Sequence, residues 1–160
     1  MPSTIDQAVL ARIATHLKAR GESVAVAESS AGGLISAALL SVPGASAFYL
    51  GGCVVYTRVA YKALLDLTPT KAVRSSSEPM AQLLAQTVRE KFGATWGLAE
   101  TGAAGPTGNG YGDAAGHSCL AVAGQRRASI TLETGSADRA DNMTAFADKT
   151  LALFAQVLGC

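Results

Sequence analysis

A short β-prone run, Val24-Ala25-Val26-Ala27, passes into Glu28-Ser29-Ser30-Ala31-Gly32-Gly33 and then into a helical stretch from Leu34 to Ser41. Strand, glycine turn and helix in that order form the connection that builds ligand sites at the carboxyl edge of open α/β sheets. No other feature constrains the fold as much. A second strand-like run, Thr95 to Glu100, leads into Thr101 to Gly112, where five of twelve residues are glycine. Both loops are therefore expected at the carboxyl edge of one sheet.

The remaining segments fit around that core. Thr4 and Gln7 resemble a capping box, and Ile5, Val9, Ile13 and Leu17 recur at helical spacing until Gly21 ends the run. Val42-Pro43-Gly44 breaks the chain, Gly52 to Tyr56 reads as a second buried strand, and Arg58 to Leu67 as a helix. Ser77-Glu78-Pro79 is a clear helix start, with a cap, an acid and an N1 proline, followed by an apolar face of Met80, Leu83, Leu84, Val88 and Phe92. Ser118 to Ala123 and Ala128 to Glu133 are expected to pair as a hairpin through Gly124-Gln125-Arg126. A last helix from Asp138 to Leu158 carries Phe146, Leu151, Phe154 and Leu158 inward. The order α-β-α-β-α-α-β-β-β-α predicts an α/β fold: a three-layer α/β/α sandwich with a mixed sheet, one domain over residues 1–160.

Composition removes several function classes. Thirteen basic against twelve acidic residues give a net charge of +1, with no basic block longer than Arg126-Arg127, so no nucleic-acid partner is expected. Cys53, Cys119 and Cys160 show no CxxC spacing, and His16 and His117 are far apart, so no metal site is expected. The N-terminus is too polar for a signal peptide or a membrane span, and a cytoplasmic protein without a membrane partner is the expectation. The 31 alanines and 17 glycines suit thin, closely packed layers, although a GC-rich genome would leave the same mark.

Glycine in the two loops permits positive φ and lets backbone amides approach an anion with no Cβ in the way. Neither loop is a Walker A or GxGxxG sequence. Ser29 sits where a nucleophile elbow would place an attacking hydroxyl, and a helix-cap serine is the plainer alternative. With two histidines in the chain, a Ser-His-Asp triad is not expected. A Ser-Lys or Ser-Tyr-Lys arrangement would draw on Tyr56, Lys62 or Lys71.

Taken in order, these segments resemble a known family. Ala27-Glu28-Ser29-Ser30-Ala31-Gly32-Gly33 resembles the AESCTGG motif of the CinA C-terminal domain family, the nicotinamide-nucleotide amidases. Val42 to Ser46 is similar to its VPGSS turn, Gly52 to Thr57 to its GxVxYS strand, and Ser77-Glu78-Pro79 to its SEP helix start. Thr101 to Pro106 resembles its GIAGP loop, and Gly135 to Arg139 its GDR segment. The resemblance implies metal-free, cofactor-free hydrolysis of the carboxamide of nicotinamide mononucleotide to nicotinate mononucleotide and ammonia. By position it makes Ser29 the nucleophile and Tyr56 a proton relay or orienting residue. Glu28, Ser30, Gly32, Gly33, Gly102, Ala103, Ala104, Gly105 and Pro106 become the expected substrate-binding positions, with the loop backbones holding a phosphate or an oxyanion. It also implies a stand-alone domain that forms a homo-oligomer. The Phe48-Tyr49-Leu50 segment would suit such a contact if exposed, and a half-buried strand or loop with core aromatics is the other reading of it.

The chain departs from the family pattern at chemically important places. The lysine expected five residues after the tyrosine is Tyr61, and Lys62 lies one place later, about 100° around a helix. The Cys-Thr pair after the nucleophile is Ser30-Ala31. The KPVG segment is replaced by Asp113 to His117, and an arginine after the GDR segment by Asn142 or Met143. Three functions follow as alternatives: an amidase that uses Lys62 or another group, a degenerate domain that binds a nucleotide or phosphorylated metabolite without turnover, and an amidase with a different pocket shaped by Tyr111, His117 and the altered second loop.

Overall fold

The computed structural model describes residues 2–160. Its middle layer is a five-stranded sheet of β1 (Val24–Glu28), β2 (Tyr49–Val54), β3 (Trp96–Ala103), β4 (His117–Ala123) and β5 (Ala128–Glu133), in the order β2-β1-β3-β4-β5. β1 runs parallel to β2 and β3, and the β3–β4 and β4–β5 pairs are antiparallel. Helices α1 (Gln7–Arg20), α2 (Leu34–Leu40) and α5 (Arg139–Leu158) cover one face. Helices α3 (Arg58–Leu65) and α4 (Glu78–Phe92) cover the other. This is the expected three-layer sandwich with a mixed sheet.

The two faces of the sheet differ in side-chain size. Val24, Val26, Leu98, Leu120 and Val122 meet α1 and α5, together with Phe146, Leu151, Phe154 and Leu158. The opposite face presents Ala25, Ala27, Ala99, Ala121 and Ala123 to α4. Small side chains let α4 settle close to the sheet: a Cβ on Gly97 would stand 2.0 Å from the Ala85 carbonyl oxygen. The abundance of alanine therefore has a packing role on this side.

Several local expectations are corrected. Asp6, not Thr4, caps α1, its carboxylate accepting from the amides of Ala8 and Val9. The strand read as Gly52 to Tyr56 begins at Tyr49, ends at Val54, and is a half-buried edge strand rather than a buried one. Phe48 is fully buried and Tyr49 is half-buried in β2, as the core-aromatic reading of Phe48-Tyr49-Leu50 has it, and only Leu50 is strongly exposed, at 47%. β3 continues through Thr101, Gly102 and Ala103, so the second glycine segment begins as strand. Ser77 caps α4 and Asp138 caps α5. No helix is long and apolar enough to cross a membrane among the described residues.

Candidate active site

Because β1, β2 and β3 are parallel, their carboxyl ends open on one edge of the sheet, and β4 starts there. The Val55 amide donates to the Glu28 carbonyl at 2.7 Å, which draws Tyr56 up beside the end of β1. Ser29 follows β1 directly and is 5% exposed. Its hydroxyl has no hydrogen-bond partner among the described residues, yet it is not a sealed, unsatisfied atom.

Two fully buried carboxylates set the shape of this elbow. Glu28 accepts from the amides of Gly33 at 3.1 Å, Ile35 at 2.9 Å and Ser36 at 2.9 Å, filling the first turn of α2. Glu100, on β3, accepts through Oε2 from the amides of Ser29 at 3.0 Å and Ala31 at 2.7 Å. Its Oε1 accepts from the hydroxyls of Ser30 and, at 3.1 Å, Ser118. Burial pushes the Glu100 carboxyl above its ordinary range, against the hydrogen bonds that favour the anion, with the Glu28 charge adding to the rise. A proton on Glu100 belongs on Oε1, since the two hydroxyls there can turn to accept it and the two amides on Oε2 cannot. The Gly32 amide bonds to the Ser29 carbonyl at 3.1 Å and the Leu34 amide to the Ala31 carbonyl at 3.2 Å.

The second loop is held by charged side chains instead. Arg74 donates to Asp113 through both terminal nitrogens, at 2.8 and 3.2 Å, and its guanidinium lies 4.8 Å from the centre of the Tyr111 ring. Asn109 donates to Asp113 at 2.8 Å and accepts from its amide at 3.1 Å. His117 places Nδ1 2.5 Å from Glu133 and Nε2 2.8 Å from the Ser76 carbonyl, with Asp113 3.6 Å away. Burial alone would lower the His117 pKa, but hydrogen bonds to Glu133 and Ser76 and the Asp113 charge outweigh it and raise the value. For Asp113, burial raises the pKa; the bonds from Arg74 and Asn109 and the His117 charge prevail and lower it.

Between the second loop, Tyr56 and the start of α5 lies a cleft of about 290 Å³, lined by Gly102 to Gly105, Thr107 to Asn109, Tyr56 and Arg139. Larger hollows exist elsewhere, such as one of about 470 Å³ beside Arg126 and Arg127. What sets the smaller cleft apart is convergence of polar groups. Arg139, its only charged lining residue, donates to the Tyr56 hydroxyl at 3.0 Å and to the Gly105 carbonyl. The amides of Gly105, Thr107 and Gly108 have no acceptor among the described residues. Asn142 ties the base of the cleft together, donating to the Ala104 carbonyl at 2.8 Å and accepting from Thr134 at 2.6 Å.

The CinA C-terminal domain family model matches residues 6–158. The chain belongs to that family. A CinA-like protein of Anaeromyxobacter sp. (strain Fw109-5) is 41% identical over 140 residues, 85% of this chain and 34% of its own length. A CinA-like protein of Prochlorococcus marinus (strain MIT 9313) is 36% identical over 121 residues, 74% of this chain and 28% of its own. The chain thus spans about a third of the length of the curated relatives it matches. Among solved structures, competence damage-inducible protein A (ComA) of Klebsiella pneumoniae superposes with a TM-score of 0.88 at 28% identity, covering 95% of this chain and 96% of that one. The competence/damage inducible protein CihA of Agrobacterium tumefaciens gives 0.86 at 27% identity, covering 96% and 94%.

Within this CinA domain the expected site residues divide. Tyr56, Gly102, Ala103, Ala104 and Gly105 line the cleft, and Ser29 follows β1 at the same sheet edge but outside that lining. Pro106 is exposed and follows a cis peptide bond outside that lining. Lys62 does not join them: its side chain is 65% exposed and pairs with Asp66 one turn along α3. Tyr61, at the family's lysine position, is 2% exposed in the core against α4. Glu28 and the Ser30 hydroxyl, expected at the substrate, are turned inward onto the elbow. The Gly32 and Gly33 amides, expected to hold an anion, are already bonded within the elbow. Of the two positions at which the family's single arginine could fall, Asn142 is a buried brace, and Met143 reaches so near Gly32 that a Cβ on that glycine would stand 2.9 Å from the methionine methyl.

Two residues with clear structural parts were not singled out from the sequence as site residues. Glu100 had a signal, a lone acid in the apolar run from Trp96 to Ala103. Arg139 was visible inside the GDR-like segment, but only the fold brings the start of α5 against the second loop.

Proposed function

We propose that this domain is an amidohydrolase that takes nicotinamide mononucleotide in the cleft and attacks its carboxamide with Ser29. The observation that carries the proposal is the pairing of Arg139 with Tyr56 across a cleft whose second-loop amides are uncommitted. A cation not neutralised by any carboxylate among the described residues, beside backbone N–H groups without acceptors there, suits a phosphorylated ligand. The likeness of the elbow and the second loop to the motifs of the nicotinamide-nucleotide amidases supports this choice of substrate.

In the proposed reaction the Ser29 oxygen bonds to the carboxamide carbon and the carbonyl electron pair moves to oxygen. The hydroxyl proton passes through Tyr56 to the amide nitrogen, the C–N bond breaks, and ammonia leaves. Water then cleaves the acyl-serine to nicotinate mononucleotide and restores the Ser29 hydroxyl. Arg139 donates to the Tyr56 oxygen, so the phenol proton remains available for relay. Lys62 has no part in this scheme.

Ammonia release from nicotinamide mononucleotide, with Ser29→Ala beside the unaltered protein and no added metal, tests the proposal. Turnover lost in Ser29→Ala supports it. A second function, binding without turnover, is favoured by one observation: the lysine position is a buried tyrosine and the neighbouring lysine faces solvent. Nucleotide binding by calorimetry without ammonia release would select that function. Self-association is also proposed, resting on Leu50 and Val54 exposed along the edge strand β2, and sedimentation velocity tests it.

A further inference from the structure

The elbow after β1 contains one backbone donor that differs from all its neighbours. Glu100 Oε2 takes the amides of Ser29 and Ala31, on either side of Ser30. From Gly32 to Ser36 each amide is bonded to Glu28 or to an elbow carbonyl. The Ser30 amide alone has no acceptor among the described residues, in a residue only 4% exposed. The adjoining Ser29 hydroxyl, in a residue 5% exposed, also lacks a partner. An unbonded amide in a buried residue, beside an unbonded hydroxyl that is still reachable from outside, leaves both groups open to one ligand. The α2 dipole does not explain the pair, because its first-turn amides belong to Glu28.

We infer that the Ser30 N–H is the oxyanion donor of this site and that Glu100 is its positioning residue, gripping the amides on both sides so that only the one after the nucleophile is offered to substrate. The inference rests on the amidase function proposed above. When the Ser29 oxygen bonds to the carboxamide carbon, the carbonyl electron pair becomes an oxyanion, and the amide of the following residue is the donor that an elbow supplies. The role of Glu100 is geometric. Its Oε2 holds the backbone, and its Oε1 meets the hydroxyls of Ser30 and Ser118, which can reverse direction.

The direct test replaces the Ser29–Ser30 peptide bond with an ester, which removes that one N–H and leaves every side chain in place. A fall in kcat of about 100- to 1000-fold is expected, with KM within about threefold of the unaltered protein because the donor acts on the developing charge. A fall of less than about tenfold overturns the assignment. Glu100→Gln keeps an oxygen for both amides and turns its NH2 toward the two hydroxyls, so kcat within about fivefold is expected. Glu100→Leu removes the grip and is expected to lose kcat as the ester does. If Glu100→Leu does not fold, the ester and Glu100→Gln decide the matter. Glu100→Gln as damaging as the ester would overturn the positioning role and make the charge itself essential. An unaltered protein that releases no ammonia removes the amidase function and the oxyanion role with it. An active protein indifferent to the ester removes this inference alone.

Discussion

At the elbow after β1 the backbone is held from beneath by two carboxylates with no exposed surface, Glu28 and Glu100, and nearly every amide is used. In the loop after β3 the hold comes from the side, through Arg74, Asp113, Asn109 and His117, and the amides of Gly105, Thr107 and Gly108 stay free. Both segments are rich in glycine and leave the same sheet edge. The difference teaches that glycine content marks where a backbone can approach a ligand, while the neighbouring acceptors decide whether its amides remain available. The elbow offers a hydroxyl and one amide; the second loop offers a surface for an anion.

The largest expected effect comes from unseating the elbow. Glu28→Ala leaves the Gly33, Ile35 and Ser36 amides without their acceptor. At about 1–3 kcal/mol for each buried donor, with partial relaxation, a loss of about 3–5 kcal/mol in urea unfolding is expected. Glu28→Gln, which keeps one acceptor oxygen, should lose clearly less. Equal losses would mean that the carboxylate charge, not the hydrogen bonds, sets the elbow.

Arg139→Ala acts on the other region and should separate stability from binding. Arg139 is exposed, so the midpoint of thermal unfolding should move little, while KM for a phosphorylated substrate rises about 10- to 100-fold with a smaller change in kcat. An unchanged KM would remove the anion from this cleft.

The second loop should also respond to pH in a way set by its charged hold. His117 has a raised pKa, so its contribution is complete below the ordinary histidine value and is lost as pH rises through the raised one. Asp113 has a lowered pKa, so its contribution is complete above the ordinary aspartate value and is lost as pH falls through the lowered one. Amide protection at Asn109 and Asp113, taken relative to the intrinsic exchange rate at each pH, should therefore be greatest between those limits and smaller on either side. Arg74→Ala should narrow that range from the acid side, since Arg74 helps to depress Asp113. Protection factors that stay constant from weak acid to weak base would argue against an ionic hold.

Lys62→Ala should have the smallest effect. Its exposed pair with Asp66 is screened by solvent, so neither ammonia release nor the unfolding midpoint should change measurably. A large fall in kcat would return Lys62 to the chemistry and require α3 to rotate during catalysis.

The layers of the fold were legible in the sequence because local signals and packing agree there. Ser77-Glu78-Pro79 starts α4 and the period of Phe146, Leu151, Phe154 and Leu158 buries α5, as local chemistry dictates. The edge position of β2 was not legible, since Gly52-Cys53-Val54-Val55 has the apolar composition of a buried strand and only pairing order shows that one side is open. At the candidate site, Ser29, Tyr56 and the second loop could be named from motif order. The inward turn of Glu28 could not, because an acid beside a glycine turn looks the same whether it meets a ligand or the helix that follows. Arg139 and Tyr56 are 83 residues apart in sequence, and only the closure of α5 over the sheet edge brings them together.

The buried Tyr61 also limits which side chains its position can accept. Its ring is part of the packing between α3 and α4, so Tyr61→Lys would trade a core aromatic for a cation with no partner there, at a cost of about 2–5 kcal/mol. For a domain of ordinary stability that is a large share of the whole. A lysine could be placed there only after other substitutions had opened that space. Position 61 is locked by its packing, and any cation close to Ser29 has to be supplied from elsewhere in the fold.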